Sequence, residues 1–193
     1  MNDELKNTVM QKVVQPTIDG LNKLGIHYYG FMYFGLMVKD NNPKVLEFNC
    51  RLGDPETQCL MMQMESDLVD CLTDALKNNK VTINWKKGAS MGVVIASDGY
   101  PGRYAMNKQI SFGDTKNLKV FHAGTKSTNG ILQTSGGRVF SVNYHGETLD
   151  LCSKYIYKNI EEVQFDGDIY SCLLYTSDAA DEGLGVDLGG RRI

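Results

Sequence analysis

No apolar run in the 193-residue sequence reaches the ~18 residues that a membrane-spanning helix needs, and nothing at the amino terminus reads as a secretion signal. No Lys/Arg cluster or basic–aromatic stripe is present either. Lys+Arg 20 against Asp+Glu 23 leaves a formal charge of −3, which argues against a nucleic-acid partner. The five cysteines (50, 59, 71, 152 and 172) form no CxxC and have no paired histidines beside them. They read as reduced core thiols, and the expected compartment is the cytoplasm. HExxH, a nucleophile elbow, a Ser-His-Asp order and a Walker-type P-loop are all missing, as are internal repeats. His27 and His145 read as surface or structural histidines, and His122, in VFHAGT, has no partner that would make it a metal ligand.

The carboxy-terminal stretch also lacks something: any continuity with the rest. CLLYTSDAADE (172–182) and VDLGGRRI (186–193) resemble the in-frame translation of a transposase-type sequencing adapter, with Gly183, Leu184 and Gly185 in the place of a short index. Residues 172–193 are therefore expected to be a non-native tail that does not pack. GLGVDLG (183–189) imitates a dinucleotide-binding loop, but it follows no strand and opens no helix.

What is present is α+β patterning. Leu5, Val9, Val13, Ile18 and Leu21 recur at near-helical spacing before Gly25, with Pro16 expected to kink or divide the helix. YYGFMYFGLMVKD (28–40) and PKVLEFNCR (43–51) flank turn residues and predict a β-hairpin. Asp54 and Pro55 suit the first positions of a helix carrying Leu60, Met61, Met64, Leu68, Leu72 and Leu76, and Ser66-Asp67 offers a second start inside it. Beyond residue 80 the texture changes. VTINWKKGAS (81–90) reads as a strand and linker. Short β runs follow (91–97, 119–125, 131–146), separated by glycine turns at 99–102 and 136–137, and a helix over 147–163 closes the chain. The expected division is 1–88, 89–171 and the tail.

KVLEFNCRLGDPETQ (44–58) carries the chemistry. Glu47, Asn49 and Arg51 recur at every second position, which on a strand is one face; Leu46, Phe48 and Cys50 are expected behind them in a core. A carboxylate and an amide oxygen within about 7 Å suit Mg²⁺, which takes one or two protein oxygens and the rest from water and phosphates. Arginine adds a planar fork for a phosphate.

Read whole, YGFMYFGLMVKDNNPKVLEFNCRLGDPETQ (29–58) resembles the phosphoribosylamine–glycine ligase family of ATP-grasp enzymes. The resemblance continues in order through SDLV (66–69), SMGVV (90–94), GYPG (99–102), KVFHAGT (119–125) and GGRV (136–139) and covers residues 3–170. It implies the carboxy-terminal half of an ATP-grasp domain, antiparallel β with helices, followed by a small β-rich domain. The implied reaction joins glycine to 5-phosphoribosylamine through a glycyl phosphate, consuming ATP and giving glycinamide ribonucleotide, ADP and phosphate. Carried over by position, Glu47 and Asn49 are the ligands of Mg²⁺ or Mn²⁺, and Arg51 and Asp54 are the catalytic groups. Arg51, Gly53, Asp54 and Glu56 line the substrate side, with His122, Gly124, Thr125 and Arg138 holding phosphoribosylamine. The resemblance also implies an amino-terminal part, with the glycine-rich lid and the adenine site, that this sequence lacks. The alternatives are another ATP-grasp carboxylate–amine ligase, which shares an E-x-N-x-R-like strand but not GDPETQ, and a non-catalytic binding module.

Overall fold

The structure, a computed structural model, describes residues 2–77, 79–115 and 117–171; the adapter-like tail lies outside the described residues. Two compact units emerge, the first of residues 2–54 and 64–85, the second of 55–63 and 86–171.

The first unit opens with α1 (Asp3–Val9), capped by the Asn2 side chain, which accepts from the Leu5 N–H at 2.8 Å. A π-helical turn, Met10–Val14, leads into α2 (Gln15–Lys23). Pro16 accounts for that turn. Its ring cannot sit over the carbonyl four residues back and it has no N–H to donate, so the chain widens its hydrogen-bond ring before the proline instead of breaking. Gly25, at φ 70°, ends the helix, and the Ile26 N–H returns to the Leu21 carbonyl at 3.0 Å.

Strands β1 (Tyr33–Lys39) and β2 (Asn42–Asn49) pair antiparallel. Asp40 and Asn41 form the two-residue turn, both at positive φ (51° and 55°), the geometry that matches strand twist and that Asp and Asn tolerate. A register shift falls between Gly35 and Leu36. Two expectations for this hairpin need correction. Leu46 and Phe48 are 64% and 54% exposed and Cys50 is exposed too, so they do not lie in a core. Alternation decides which side chains share a face; burial needs a second layer, and among the described residues these side chains stay exposed on a two-stranded ribbon. The strand also ends at Asn49, leaving Arg51 in the bend that follows.

Helix α3 (Glu56–Gln63) belongs to the second unit, and α4 (Leu68–Leu76) to the first. Asp67 caps α4, its carboxylate accepting from the Val69 and Asp70 N–H groups at 2.7 and 3.1 Å. Of the strand and linker expected over 81–90, residues 89–90 open β3 and the rest makes one bridge, Met64 to Trp85, flanked by the Glu65 N–H to the Asn84 carbonyl at 2.9 Å and the Lys86 N–H to the Gln63 carbonyl at 2.8 Å.

The second unit is built on a four-stranded antiparallel sheet in the order β10 (Asp168–Ser171), β3 (Ala89–Ser97), β8 (Arg138–Gly146), β5 (Lys119–His122). Short pairs flank it: β4 (Ile110–Phe112) with β9 (Val163–Phe165), and β6 (Thr125–Thr128) with β7 (Ile131–Thr134). Met91, Val93 and Ile95 on one face meet Cys152 and Ile156 of α5 (Leu149–Asn159), all essentially without exposed surface. The opposite face receives α3. Gly92 makes that approach possible: a Cβ there would stand 2.3 Å from Asn143 Oδ1 and 3.2 Å from Cys59 Sγ. Ile156→Ala should therefore cost about 2–5 kcal/mol, whereas Leu46→Ala should stay within about 0.5 kcal/mol of wild type, both read by urea unfolding.

Candidate functional site

Of the three residues expected to share one face of β2, two lie together. Asn49 Nδ2 donates to Glu47 Oε1 at 3.0 Å, so carboxylate and amide lie side by side on an exposed part of the strand. Arg51 is not fixed on that face by strand geometry; its Nη1 donates to the Leu52 carbonyl at 2.9 Å. Gly53 is buried and Asp54 exposed where the chain turns toward α3, and neither is without an interaction. Glu56, at the first turn of α3, is only 9% exposed.

Among the described residues no group of three or more His, Cys, Asp and Glu could cage a metal ion. The donors at Glu47 and Asn49 suit a different arrangement. Hard oxygen ligands, one of them charged, fit a Mg²⁺-type ion that completes its octahedron with water and phosphate oxygens. The donor set fits the ion.

In the second unit the glycine turns at 99–102 and 136–137 meet each other and the segment around Gly124. Gly124 N–H donates to the Arg138 carbonyl at 2.9 Å, and the Ser135 N–H donates to the Gly124 carbonyl at 2.7 Å. A Cβ on Gly124 would lie 2.7 Å from both the Arg138 oxygen and the Gly136 Cα, so backbone contact, not a special φ, requires glycine. Tyr100 covers Gly137, where a Cβ would be 2.1 Å from its Cδ2, and the Tyr104 ring lies 6.1 Å from that of Tyr100. His122 Nδ1 and Thr125 Oγ1 are 3.2 Å apart. His122, Gly124, Thr125 and Arg138 thus come together where β5 and β8 pair.

One feature escaped sequence reasoning. A depression of about 380 Å³ is lined by Asp98, Arg103, Tyr104, Lys108, Phe165 and Asp166 among others. Lys108 bridges to Asp166 at 2.5 Å, and that bond, with the ammonium charge, holds the exposed Asp166 carboxyl below the usual carboxylate range. The interleaved charges and tyrosines of SDGYPGRYAMNK (97–108) were the available signal.

The architecture defines a class. The chain superposes on the biotin carboxylase domain of a thermophilic 2-oxoglutarate carboxylase with a TM-score of 0.62 over 88% of this chain and 39% of that one; at 16% identity the likeness is one of fold, that of ATP-grasp proteins. On the crystal structure of phosphoribosylamine–glycine ligase from Thermotoga maritima the TM-score is 0.80 at 31% identity, over 88% of this chain and 43% of that chain. Residues 1–57 match the family model described as phosphoribosylglycinamide synthetase, ATP-grasp (A) domain, and residues 90–171 match phosphoribosylglycinamide synthetase, C domain. The chain belongs to the phosphoribosylglycinamide synthetase family. Curated relatives include the phosphoribosylamine–glycine ligases of Salmonella typhimurium, 42% identical over 174 residues, and Yersinia pestis, 44% identical over 174 residues. Those alignments take in 86% of this chain and 41% of each relative, so the chain spans well under half of their length. No helix among the described residues is long and apolar enough to cross a membrane.

Cys59 supplies a check on the second unit. Burial above all, then the neighbouring Glu56 and Cys152, pushes its thiol from 9.0 to about 12. The unfolded chain releases this proton near 9.0 while the folded chain keeps it until about 12, so the unfolded state binds fewer protons in that interval. Stability to urea should accordingly fall as pH rises through the interval, and less steeply in Cys59→Ser. At about pH 8, iodoacetamide should alkylate exposed Cys50 well before Cys59 or Cys152.

Proposed function

We propose that this chain is part of a phosphoribosylamine–glycine ligase, joining glycine to 5-phosphoribosylamine at the expense of ATP and releasing glycinamide ribonucleotide, ADP and phosphate. The observation that carries this reading is the Glu47–Asn49 pair at the end of β2, running straight into Gly-Asp-Pro-Glu-Thr-Gln, in a chain whose halves match the two family domains in order.

Glu47 and Asn49 would hold Mg²⁺ or Mn²⁺. The ion supplies neutralisation of the charge that develops on the phosphoryl oxygens during transfer. Arg51 contacts a phosphate oxygen, which requires its guanidinium to exchange the Leu52 carbonyl for the ligand. The γ-phosphoryl group passes to the glycine carboxylate, and the amine of phosphoribosylamine attacks the resulting acyl phosphate, expelling phosphate. Asp54, with an exposed side chain, takes the proton that this amine releases. Gly53 and Glu56 shape the substrate side. In the second unit Arg138 pairs with the phosphate of phosphoribosylamine, and His122, Gly124 and Thr125 hold the sugar. The polypeptide that the longer relatives carry beyond the matched portion supplies the remainder of the ATP site.

Glu47→Gln in a full-length enzyme is the decisive test. The substitution keeps shape and removes charge at an exposed position, so stability should move by no more than about 0.5 kcal/mol. Transition-state stabilisation should fall by several kcal/mol, with a changed Mg²⁺ dependence. Near-normal turnover with unaltered Mg²⁺ dependence would remove the assignment. The 193-residue chain alone should form no glycinamide ribonucleotide, since proximity and exclusion of water both need the rest of the cleft. Turnover above background in an ATP- and glycine-dependent assay would count against that.

A further inference from the structure

We infer that Gly35 is a positioning residue for the Glu47 carboxylate: the missing side chain on β1 makes the space through which Glu47 lies beside Asn49. The inference rests on the reading of Glu47 and Asn49 as the metal ligands.

Gly35 is the register partner of Glu47 across the β1–β2 pair. Paired residues on an antiparallel ribbon put their side chains on the same face, so a side chain at 35 would compete with Glu47 for the same volume. The competition is severe. A Cβ at 35 would lie 2.7 Å from Glu47 Cγ and 3.5 Å from both Cδ and Oε1. Glu47 therefore runs across β1 over residue 35, and that path brings Oε1 to the Asn49 amide at 3.0 Å.

Backbone conformation does not explain the glycine. Gly35 is absent from the positive-φ positions, so an L-residue could take its φ without strain. Nor is it a hairpin-turn residue, because Asp40 and Asn41 make that turn. The register shift between Gly35 and Leu36 offers the competing account, in which glycine serves the bulge and not the carboxylate. The two accounts differ in one respect: only the collision with Glu47 disappears when Glu47 is shortened.

The test uses the 193-residue chain labelled with ¹⁵N, following the Asn49 side-chain amide and its broadening by Mn²⁺, a probe suited to weak sites. Glu47→Ala, which removes the acceptor, defines the Asn49 resonance without its partner. Gly35→Ala should move the Asn49 amide most of the way to that position and weaken Mn²⁺ broadening about tenfold or more, the range typical of lost outer-shell support. An Asn49 amide unchanged in Gly35→Ala would overturn the positioning role even if the wild-type chain binds Mn²⁺. A shifted amide in a chain whose wild type shows no Mn²⁺ broadening would uphold the positioning and sink the metal reading, which keeps the two failures apart. Should Gly35→Ala unfold early, the double variant with Glu47→Ala decides. Collision predicts that shortening Glu47 restores most of the lost stability. An equal loss in both backgrounds assigns the glycine to the bulge and overturns the inference.

Discussion

The second unit depends on the pairing of β3 with β8, which runs from Ala89↔Gly146 to Ala96↔Arg138. β10 and β5 extend this ladder at its two edges. Every residue of β3 is buried, so the strand has no solvent face and must be covered twice. One covering is apolar: Met91, Val93, Ile95 and Val142 against Cys152 and Ile156, which supplies the area that drives folding. The other is α3, and its interface is of another kind. Asn143, with no exposed surface, donates through Nδ2 to Ser141 Oγ at 2.8 Å and sits 3.8 Å from the Cys59 sulfur, while Ser90 is 1% exposed. Polar groups in such a place stabilise little by area. They specify where the helix sits.

Shape complementarity through absent side chains recurs in both units. Gly92 admits α3, Gly124 lets two backbone segments touch, Gly137 takes the Tyr100 ring, and Gly35 takes the Glu47 side chain. None of these four needs a positive φ. Their common property is a neighbour closer than a Cβ permits, and the neighbours lie far away in sequence: residue 143 for 92, 138 for 124, 100 for 137. A glycine of this type has no local signature. Gly25 and the Asn129-Gly130 turn between β6 and β7 do have one, because there the requirement is on the chain's own dihedrals.

That difference explains what could be read in advance. The hairpin, its Asp40-Asn41 turn, the cap at Asp67 and the disturbance before Pro16 were legible, since each is set by residues within a few positions of one another. The side-by-side placement of Glu47 and Asn49 was legible for the same reason, as a strand period of two needs no tertiary information. The extrapolation to Arg51 went two residues too far, because nothing in CRLG marks the point where pairing stops. Burial of Leu46 and Phe48 was misread more deeply. Alternation supplies a face, and only a covering layer turns that face into a core, a fact about chain elsewhere. The strand and linker expected over 81–90 shrank likewise, since the partner segment at 63–66 is long enough for only one bridge at Trp85.

The position of Glu56 follows from the same logic. The residue is 9% exposed, an expensive place for a charge, and α3 buries only Glu56 and Cys59. An eight-residue helix with so little apolar contact would be marginal by itself, as its amphipathic face is too small to hold it. What holds it is the gap at Gly92, the amide of Asn143 and the far end of the helix, where Gln63 Nε2 donates to the Gly88 carbonyl at 3.1 Å and Lys86 Nζ to the Met62 carbonyl at 3.2 Å. Those contacts fix both the depth and the rotation of α3 on the sheet. With rotation fixed, the residue one turn before Cys59 has no choice of direction, and Glu56 is carried to its buried place by the side chains that seat Cys59. A carboxylate placed in this way is positioned by the sheet beneath it, not by the turn that precedes it in the sequence.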